Sequence, residues 1–302
     1  MLWNTGWHIR FFFRFFPKHI EATVNYLLHN RDSFENKLII ITTLKNEAGF
    51  VKEWLEYHKL MGVDKFIIYD NESSDNLKEV LQPYIDSGEV VYDYCPGDYK
   101  ILQTKLINET IRKYRNKTRW IALIDVDEFI VPVNQENIPD AISEIEKDLG
   151  RKIYALAINW VMYGYSGHRN KPAGLVIENY TKHDGIDPHV KSIINPRAVS
   201  HCFVHYAVGL FGLPVEITEK GATVREGKLK NLSGAGIEKL RLNHYYTRSY
   251  EEHVQKIKGY HVLFNLQESE MPVPDFDPDF LSHHADRIME KYVPLLKDRM
   301  KC

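Results

Sequence analysis

The sequence predicts an α/β fold with a mainly parallel central sheet flanked by helices. Strand-like and helix-like patterns alternate along residues 38–124, and their connections are too long to be hairpins. The strand-like stretches are continuous apolar runs rather than alternating ones, which is typical of strands covered on both faces. A series of this kind forms a parallel sheet through right-handed crossovers.

The first half of the chain contains the regular part of this pattern. The four predicted strands share a short, β-branched, apolar composition and lie at residues 38–44, 66–69, 90–92 and 120–124. Three stretches between them have apolar residues at helical spacing. The first two are expected to end at Gly62 and Gly88, because glycine readily adopts the left-handed conformation that closes a helix.

The second half is less regular and mixes helices, strands and loops. Helices are predicted over 138–149, 249–264 and 279–300, strands over 153–161 and 239–246, and loops over 163–187. No repeat or low-complexity linker divides the chain. We therefore expect one continuous domain over residues 38–265, with an N-terminal segment over 1–37 and a helical extension over 266–302.

The N-terminal residues 1–20 combine many aromatic side chains with basic ones. Their apolar run is interrupted by Arg14 and is shorter than the roughly 20 residues that cross a bilayer. Such a segment can lie in the membrane interface, or it can pack against the rest of the chain. The sequence leaves both alternatives open.

Composition narrows the partners and the compartment. The chain has 39 basic and 41 acidic residues, a balance that disfavours nucleic acid as a partner. The three cysteines, Cys95, Cys202 and Cys302, show no C-x-x-C spacing and are expected to be reduced thiols in a cytosol. The predicted location is therefore cytoplasmic, and peripheral contact at the inner face of the membrane is one of the two alternatives for residues 1–20.

Polar residues follow three of the predicted strands where each strand ends. The first strand runs into Thr43, Asn46 and Glu47, the second into Asp70, and the fourth into the acidic residues 125–128. In an open parallel sheet, ligands bind outside the carboxyl ends of the strands. The sequence therefore predicts one binding site along this edge.

The D-V-D-E sequence at residues 125–128 is the strongest candidate for chemistry. A divalent cation shared with a diphosphate needs only one or two protein carboxylates, and Asp125 and Asp127 can supply them. The cation would neutralise charge on a departing diphosphate. A solvated acidic turn is the alternative, but the position directly after a buried strand favours the metal site.

A set of motifs in the same order resembles glycosyltransferase family 92, which has the GT-A (Rossmann-like) fold. The matching stretches are K-N-E at 45–47, E-W-L-E-Y-H at 53–58, Y-D-N-E-S-S-D at 69–75, W-I-A-L-I-D-V-D-E-F-I-V-P at 120–132 and N-H-Y-Y-T at 243–247. The resemblance covers roughly residues 38–260. It implies a nucleotide-diphospho-sugar donor, a divalent cation (Mn²⁺ or Mg²⁺) and, in an inverting reaction, a general base.

The resemblance also implies roles for individual residues. Asp125, Asp127 and His244 would hold the cation, although His244 could equally be a strand histidine bonded to a neighbour. Donor-binding residues would line the strand ends and are Thr43, Asn46, Glu47, Asp70 and Asp125, with Lys105 as a further candidate. Lys105 and Lys191 could pair with diphosphate oxygens, but both could also be ordinary surface lysines.

The acceptor side and the base are predicted less sharply. Trp160, Tyr165 and His168 could form an acceptor wall, and core packing is the alternative for Trp160 in particular. The candidates for the base are carboxylates of the polar second half: Glu178, Asp184 and Asp187. A strand over 200–206 would place two further histidines, His201 and His205, on one face with Phe203, most simply as core or cleft residues.

The predicted function is transfer of a hexose, with UDP-hexose as the first donor to consider, to a hydroxyl of a glycan or glycolipid in surface polysaccharide synthesis. One competing class is a nucleotidyltransferase that makes nucleotide-sugars. Such enzymes carry a Gly-rich loop after the first strand, whereas residues 42–49 contain one glycine. The other is a carbohydrate-binding protein on the same fold without turnover.

Overall fold

The computed structural model describes residue 20 and residues 33–210, 215–264 and 266–301. Its first half alternates strands and helices as β1 (Asn36–Leu44), α1 (Ala48–Leu60), β2 (Lys65–Asp70), α2 (Leu77–Asp86), β3 (Val90–Tyr94), α3 (Tyr99–Tyr114) and β4 (Thr118–Leu123). The four strands are parallel in the order β3–β2–β1–β4. The α/β class predicted from the sequence is confirmed.

Strand β1 shows why its apolar run is continuous. Leu38 and Ile40 pack with α1 and α2 on one face of the sheet, whereas Ile39 and Ile41 pack with α3 on the other. All four side chains are at most 2% exposed. Burial of each such side chain contributes about 1.5–3 kcal/mol, so both faces of the strand stabilise the central layer.

The second half extends the same sheet with strands of mixed direction. Its elements are β5 (Glu128–Pro132), α4 (Ile138–Leu149), β6 (Ala155–Tyr163), α5 (Val176–Asn179), β7 (Lys182–Ile194), β8 (Val199–Cys202), β9 (Ala207–Gly209), β10 (Glu216–Ile217), β11 (Leu240–His244), α6 (Tyr250–Phe264), β12 (His284–Ala285) and α7 (Val293–Arg299). β7 lies antiparallel between β4 and β6, β11 is parallel to β6, and β5 is antiparallel to β11 at the edge.

The short link between β4 and β5 forces the sheet to curl. These strands are four positions apart in the sheet, about 19 Å if it were flat. Leu123 and Glu128 could be at most about 18 Å apart with the chain fully extended. Residues 125–128 instead form a turn, in which the Glu128 N–H donates to the Asp125 carbonyl over 3.1 Å. The sheet must therefore curl around this acidic turn.

Three predictions for the second half are wrong. Residues 163–187 are not all loop, because α5 and the first part of β7 lie there. Those β7 residues are mostly polar and mostly half-buried, so they show no continuous apolar run. The strand predicted over 200–206 ends at Cys202, where a turn closed by the Phe203 N–H and the Tyr206 carbonyl begins. His205 therefore does not share a strand face with His201.

The predicted helix over 279–300 is reduced to a 3-10 turn at Glu290–Tyr292 and α7. Pro294 explains the late start, because proline fits the first turn of a helix, whereas in a helix interior it has no N–H to donate and its ring clashes with the preceding turn. Before it, β12 pairs with β7. Strand β5, which the sequence analysis did not identify, begins directly at the last residue of the acidic motif.

The predictions for the N-terminal segment concern residues that lie almost entirely outside those described, so membrane contact through residues 1–20 stays a prediction. Within the described ranges, no helix is both long and apolar enough to cross a bilayer.

Candidate active site

The strand ends that the sequence singled out meet at one edge of the sheet. Thr43 on β1 pairs with Tyr69 on β2, and Leu44 pairs with Asp70. Ile41 pairs with Leu123 of β4, so Asp125, two residues later, lies level with Thr43. The register therefore brings the ends of β2, β1 and β4 together in that order.

Asn46 and Asp70 brace the loops at this edge. The Asn46 N–H donates to Ser73 Oγ over 2.9 Å, and Asn46 Oδ1 accepts from the Ser74 N–H over 2.7 Å. Asp70 accepts from the Ser73 N–H over 2.8 Å and from the Tyr92 hydroxyl over 2.7 Å. Both oxygens of Asp70 thus have protein partners, and a ligand can bind Asp70 only by sharing or displacing them.

A small cavity lies between the ends of β1 and β4. Thr43, Asp125 and Lys191 line it, and Gln103 of α3 covers one side. Lys105 lies on the same helix but is exposed and does not line the cavity. Of the two lysines considered from the sequence, the structure brings only Lys191 to the acids.

Lys191 of β7 holds Asp125. Its Nζ lies 2.7 Å from Asp125 Oδ2 and 3.7 Å from Glu128 Oε2, and the lysine is 1% exposed. Burial alone would lower the pKa of Lys191, but Asp125 and Glu128 raise it above its ordinary value. Burial raises the pKa of Glu128 well above its usual range despite Lys191. The shortest contact of the Lys191 ammonium group is with Asp125.

Asp127 is held in the same way by Lys256 of α6. Lys256 Nζ lies 2.5 Å from Asp127 Oδ2 and donates to the Tyr246 carbonyl over 3.0 Å. His244 Nε2 lies 3.6 Å from the same carboxyl oxygen. Burial would raise the pKa of Asp127, but Lys256 and His244 hold it well below its ordinary range. Asp127 is therefore a buried carboxylate with a cation against it.

Glu47 reaches the site through Arg248. The guanidinium of Arg248 lies 3.0 Å from Glu47 Oε2 and stacks 3.5 Å above the centre of the Phe50 ring. Burial would lower the pKa of Arg248, but Glu47 and Asp127 raise it. Arg248 has a positive φ of 53°, which is uncommon for a non-glycine residue and which its two contacts stabilise. This contact joins the start of α1 to the loop before α6.

Trp160 forms an aromatic wall beside the acids. Its ring lies 4.4 Å from His244, 5.2 Å from His189, on which it stacks, and 5.9 Å from His205. Trp160 is half-buried, and burial lowers the pKa of His205 to about 4. Of the predicted acceptor residues, Trp160 is the one beside the acidic turn.

The other two predicted acceptor residues are not placed at this wall. Tyr165 is fully buried, with its hydroxyl 2.7 Å from His253 Nδ1 and its ring stacked on Phe280. Tyr165 packs as a core residue, so the structure gives no support to an acceptor contact through it. His168 Nε2 lies 3.2 Å from the Asn179 carbonyl, in the loop region around α5.

The structure separates the three candidate bases. Glu178 pairs with Lys297 over 2.5 Å, and Asp184 pairs with His283 over 2.6 Å, both on exposed surface near the C-terminal segment. Neither is brought to the acidic turn, which removes the support for Glu178 and Asp184 as bases. Asp187 Oδ1 lies 2.5 Å from His189 Nδ1, and His189 stacks on Trp160. Of the three candidates, Asp187 is therefore the one that contacts connect to the site.

The residues of the turn fit a cation that arrives with a diphosphate. In the described ranges, no three His, Cys, Asp or Glu side chains form a ready-made metal cluster. Two carboxylates suffice when the substrate supplies the other oxygens. Burial lowers the pKa of His244, which keeps it in the neutral form that binds metals, and its Nδ1 has no hydrogen-bond partner among the described residues.

Sequence reasoning missed Lys256 and Arg248. A signal for Lys256 was present, because His253, Lys256, Ile257 and Tyr260 recur at helical spacing and thus share one face of α6. A lysine on a face with buried neighbours needs a partner. Nothing comparable identifies Arg248, whose role depends on how the loop before α6 returns to α1.

Comparison with known families agrees with this geometry. The model of the family described as Glycosyltransferase family 92 matches residues 41–261, well over half of the chain. The chain belongs to glycosyltransferase family 92. Membership agrees with the GT-A fold implied by the motifs.

The family 92 chain resembles several plant proteins. A family 92 protein of Ricinus communis is 29% identical over 170 residues, which cover 56% of this chain and 30% of that protein. One from Oryza sativa is 27% identical over 224 residues, 74% of this chain and 35% of that protein. The galactan β-1,4-galactosyltransferase GALS3 of Arabidopsis thaliana is 31% identical over 106 residues, 32% of this chain and 21% of that protein. The chain spans about a third or less of the length of these relatives.

Solved structures of low similarity include S. aureus TarS (residues 1–349), which is 12% identical with a TM-score of 0.40 and covers 78% of this chain and 68% of that one. Glucosyl-3-phosphoglycerate synthase from Mycobacterium tuberculosis, in complex with Mn²⁺, UDP-glucose and phosphoglyceric acid, is 14% identical with a TM-score of 0.27, over 47% of this chain and 48% of that one. At these scores the likeness says nothing about the chemistry of this family 92 chain.

Proposed function

We propose that this family 92 chain transfers a hexose from a nucleotide-diphospho-sugar, with UDP-hexose as the first donor to test, to a hydroxyl of a glycan or glycolipid. The observation that carries the proposal is the turn between β4 and β5, where Asp125 and Asp127 each face a lysine at the carboxyl edge of the sheet. Four charged groups at one strand end suit a diphosphate and its cation.

Asp125, Asp127 and His244 are the residues that would hold Mn²⁺ or Mg²⁺. A bound cation supplies charge neutralisation to the leaving diphosphate. Lys191 and Lys256 add fixed positive charge in a largely buried setting, where such charge acts more strongly than in water. Thr43 and Asp125 would contact the donor from the cavity between β1 and β4.

The proposed reaction is inverting, and Asp187 with His189 takes up the acceptor proton. Their 2.5 Å contact fixes the imidazole, with Nδ1–H donating to the carboxylate. The ring stacks on Trp160, which in turn packs against His244 of the cation site. A base on this wall would lie on the acceptor side of the donor, as direct displacement requires.

Names of relatives support the sugar class. GALS3 of Arabidopsis thaliana is a galactan β-1,4-galactosyltransferase, so galactose is the first hexose to test. Surface polysaccharide synthesis in the cytoplasm, with peripheral membrane contact through residues 1–20, completes the proposal.

The test is release of UDP from a panel of UDP-hexoses with and without Mn²⁺. Asp127→Asn should reduce the rate at least about 100-fold, because the group that holds both the cation and Lys256 loses its charge. Asp148→Asn, an exposed acid paired with Lys239, is the matched control and should keep full activity. Turnover by Asp127→Asn at the wild-type rate would contradict the proposed site.

A further inference from the structure

Both aspartates of the acidic turn already have a cation of the protein against them. Lys191 Nζ lies 2.7 Å from Asp125 Oδ2, and Lys256 Nζ lies 2.5 Å from Asp127 Oδ2. Both contacts are as short as, or shorter than, an ordinary charge-assisted hydrogen bond. A divalent cation that uses the same oxygens must therefore compete with an ammonium group at both positions.

Beside these two pairs, the turn has buried polar atoms that lack a hydrogen-bond partner among the described residues. Glu128 is fully buried, and its Oε1 has no hydrogen-bond partner among the described residues. His244, 6% exposed, faces Asp127 through Nε2, and its Nδ1 is likewise unpartnered in the described part of the chain. Buried polar atoms without partners are costly, so a ligand that brings oxygens and a cation would satisfy groups that the protein alone does not.

The two lysines cannot simply leave when a cation enters. Lys191 is 1% exposed, and its partners are Asp125 and Glu128, so separation from Asp125 leaves a buried charge that needs another anion. Lys256 lies 4.1 Å from the centre of the Tyr246 ring, which with the Tyr246 carbonyl holds its ammonium group near the turn. A diphosphate bound at the turn would offer anionic oxygens to the ammonium groups that face Asp125 and Asp127.

We propose that Lys191 and Lys256 act as internal placeholders for the cation: they hold Asp125 and Asp127 in the free protein and transfer to the diphosphate when donor and cation bind together. This inference rests on the proposed function and deepens it, because it specifies how the site takes a nucleoside diphosphate. Cation and diphosphate should therefore bind with strong mutual dependence, each raising the affinity for the other by the same factor.

Lys256→Met tests the exchange, because it removes the charge and keeps an apolar side chain of similar length. Lys258→Met on the exposed side of α6 is the matched control, and Lys256→Gln is a second variant should the first fold poorly. Free Mn²⁺ is measured by electron paramagnetic resonance, with and without saturating UDP. Binding of UDP at fixed Mn²⁺ is measured by calorimetry.

In the wild type, UDP should tighten Mn²⁺ binding about tenfold or more. In both Lys256 variants, Mn²⁺ alone should bind about tenfold tighter than in the wild type, because its competitor is gone, while UDP should bind about tenfold more weakly. Unchanged Mn²⁺ affinity in both variants, with UDP still bound by the wild type, would overturn the exchange alone. A wild-type protein that binds no UDP at any Mn²⁺ concentration would overturn the proposed function as well.

Discussion

At the scale of single residues, the acids of the site differ from the other candidate acids in the groups with which they pair. Asp125 and Asp127 face lysines at the sheet edge, whereas Glu178 and Asp184 pair with Lys297 and a surface histidine. Residue type does not distinguish these four carboxylates. Position on the curled sheet does, because only the turn between β4 and β5 places its acids beside β7, β11 and α6.

Substitutions at Asp187 and Asp184 distinguish a catalytic carboxylate from an ordinary surface carboxylate. Asp187→Asn should lower kcat about 100- to 10,000-fold with little change in KM, since the negative charge that supports His189 as a base is lost while the side-chain shape is kept. Asp184→Asn, three residues earlier in the same strand, should retain wild-type kcat. Steady-state kinetics of both variants decide the matter: equal rates would exclude Asp187 from the reaction.

At the scale of elements, α1 supports the strand that follows the acidic turn. Trp54 Nε1 donates to the Glu128 carbonyl over 2.8 Å, and the Tyr57 hydroxyl donates to the Ile130 carbonyl over 3.1 Å. His58 Nε2 accepts from the Ile130 N–H over 3.2 Å. β5 is an edge strand, whose unpaired backbone groups would otherwise need water or another strand. Side chains of α1 thus complete the edge and position the turn.

This contact predicts a pH dependence of stability. His58 Nδ1 lies 2.9 Å from the Trp54 carbonyl, so Nδ1 carries the proton and Nε2 must stay unprotonated to accept from Ile130. Burial lowers the pKa of His58 from 6.5 to about 3. The unfolded chain therefore binds the proton first, and the stabilisation is complete above pH 6.5 and is lost as the pH falls toward 3.

Between pH 7 and pH 5 this single group should remove about 2 kcal/mol from the free energy of unfolding. Denaturant titrations at both pH values measure the change, and His58→Gln supplies the comparison because it keeps a donor and an acceptor without titrating. The wild type should lose about 2 kcal/mol more than the variant over this interval. Identical losses would show that His58 is not the titrating group.

At the scale of the whole molecule, the C-terminal residues are part of the same body as the sheet. Asp286 accepts from the Tyr163 hydroxyl over 2.7 Å and is paired with Arg241 of β11. A side chain at Gly164 would collide with the backbone of Phe280, which shows how closely this segment approaches β6. Leu296 of α7 is fully buried. These contacts join residues predicted as a separate extension to the strands beside the site.

Asp286→Asn should therefore destabilise the fold by about 3–5 kcal/mol, because it leaves the largely buried Arg241 without its counter-charge. Asp184→Asn breaks an exposed pair and should cost less than about 1 kcal/mol. Guanidinium unfolding of both variants at pH 7 provides the comparison. A similar, small effect of the two changes would mean that the Arg241 pair adds nothing to stability.

The local sequence pattern was sufficient to predict one part of this protein. Apolar runs buried on both faces, helical spacing and polar strand ends specify the parallel half of the sheet and the placement of Thr43, Asp70 and Asp125, because strand period and the common edge of a parallel sheet are short-range properties. The motif order likewise sufficed for the family. β5 and the polar half of β7 escaped detection, since their pairing partners lie far away in the chain.

The content of the site was decided by the tertiary structure. Lys256 reaches Asp127, and Trp160 with His189 lies beside His244, only because the curled sheet brings β7, β11 and α6 around the turn at 125–128. Glu178, Tyr165 and Lys105 carry suitable chemistry but are directed to the surface or the core. Long-range packing and burial decide which charged side chains come into contact. The local periodicity of the sequence predicts neither of them.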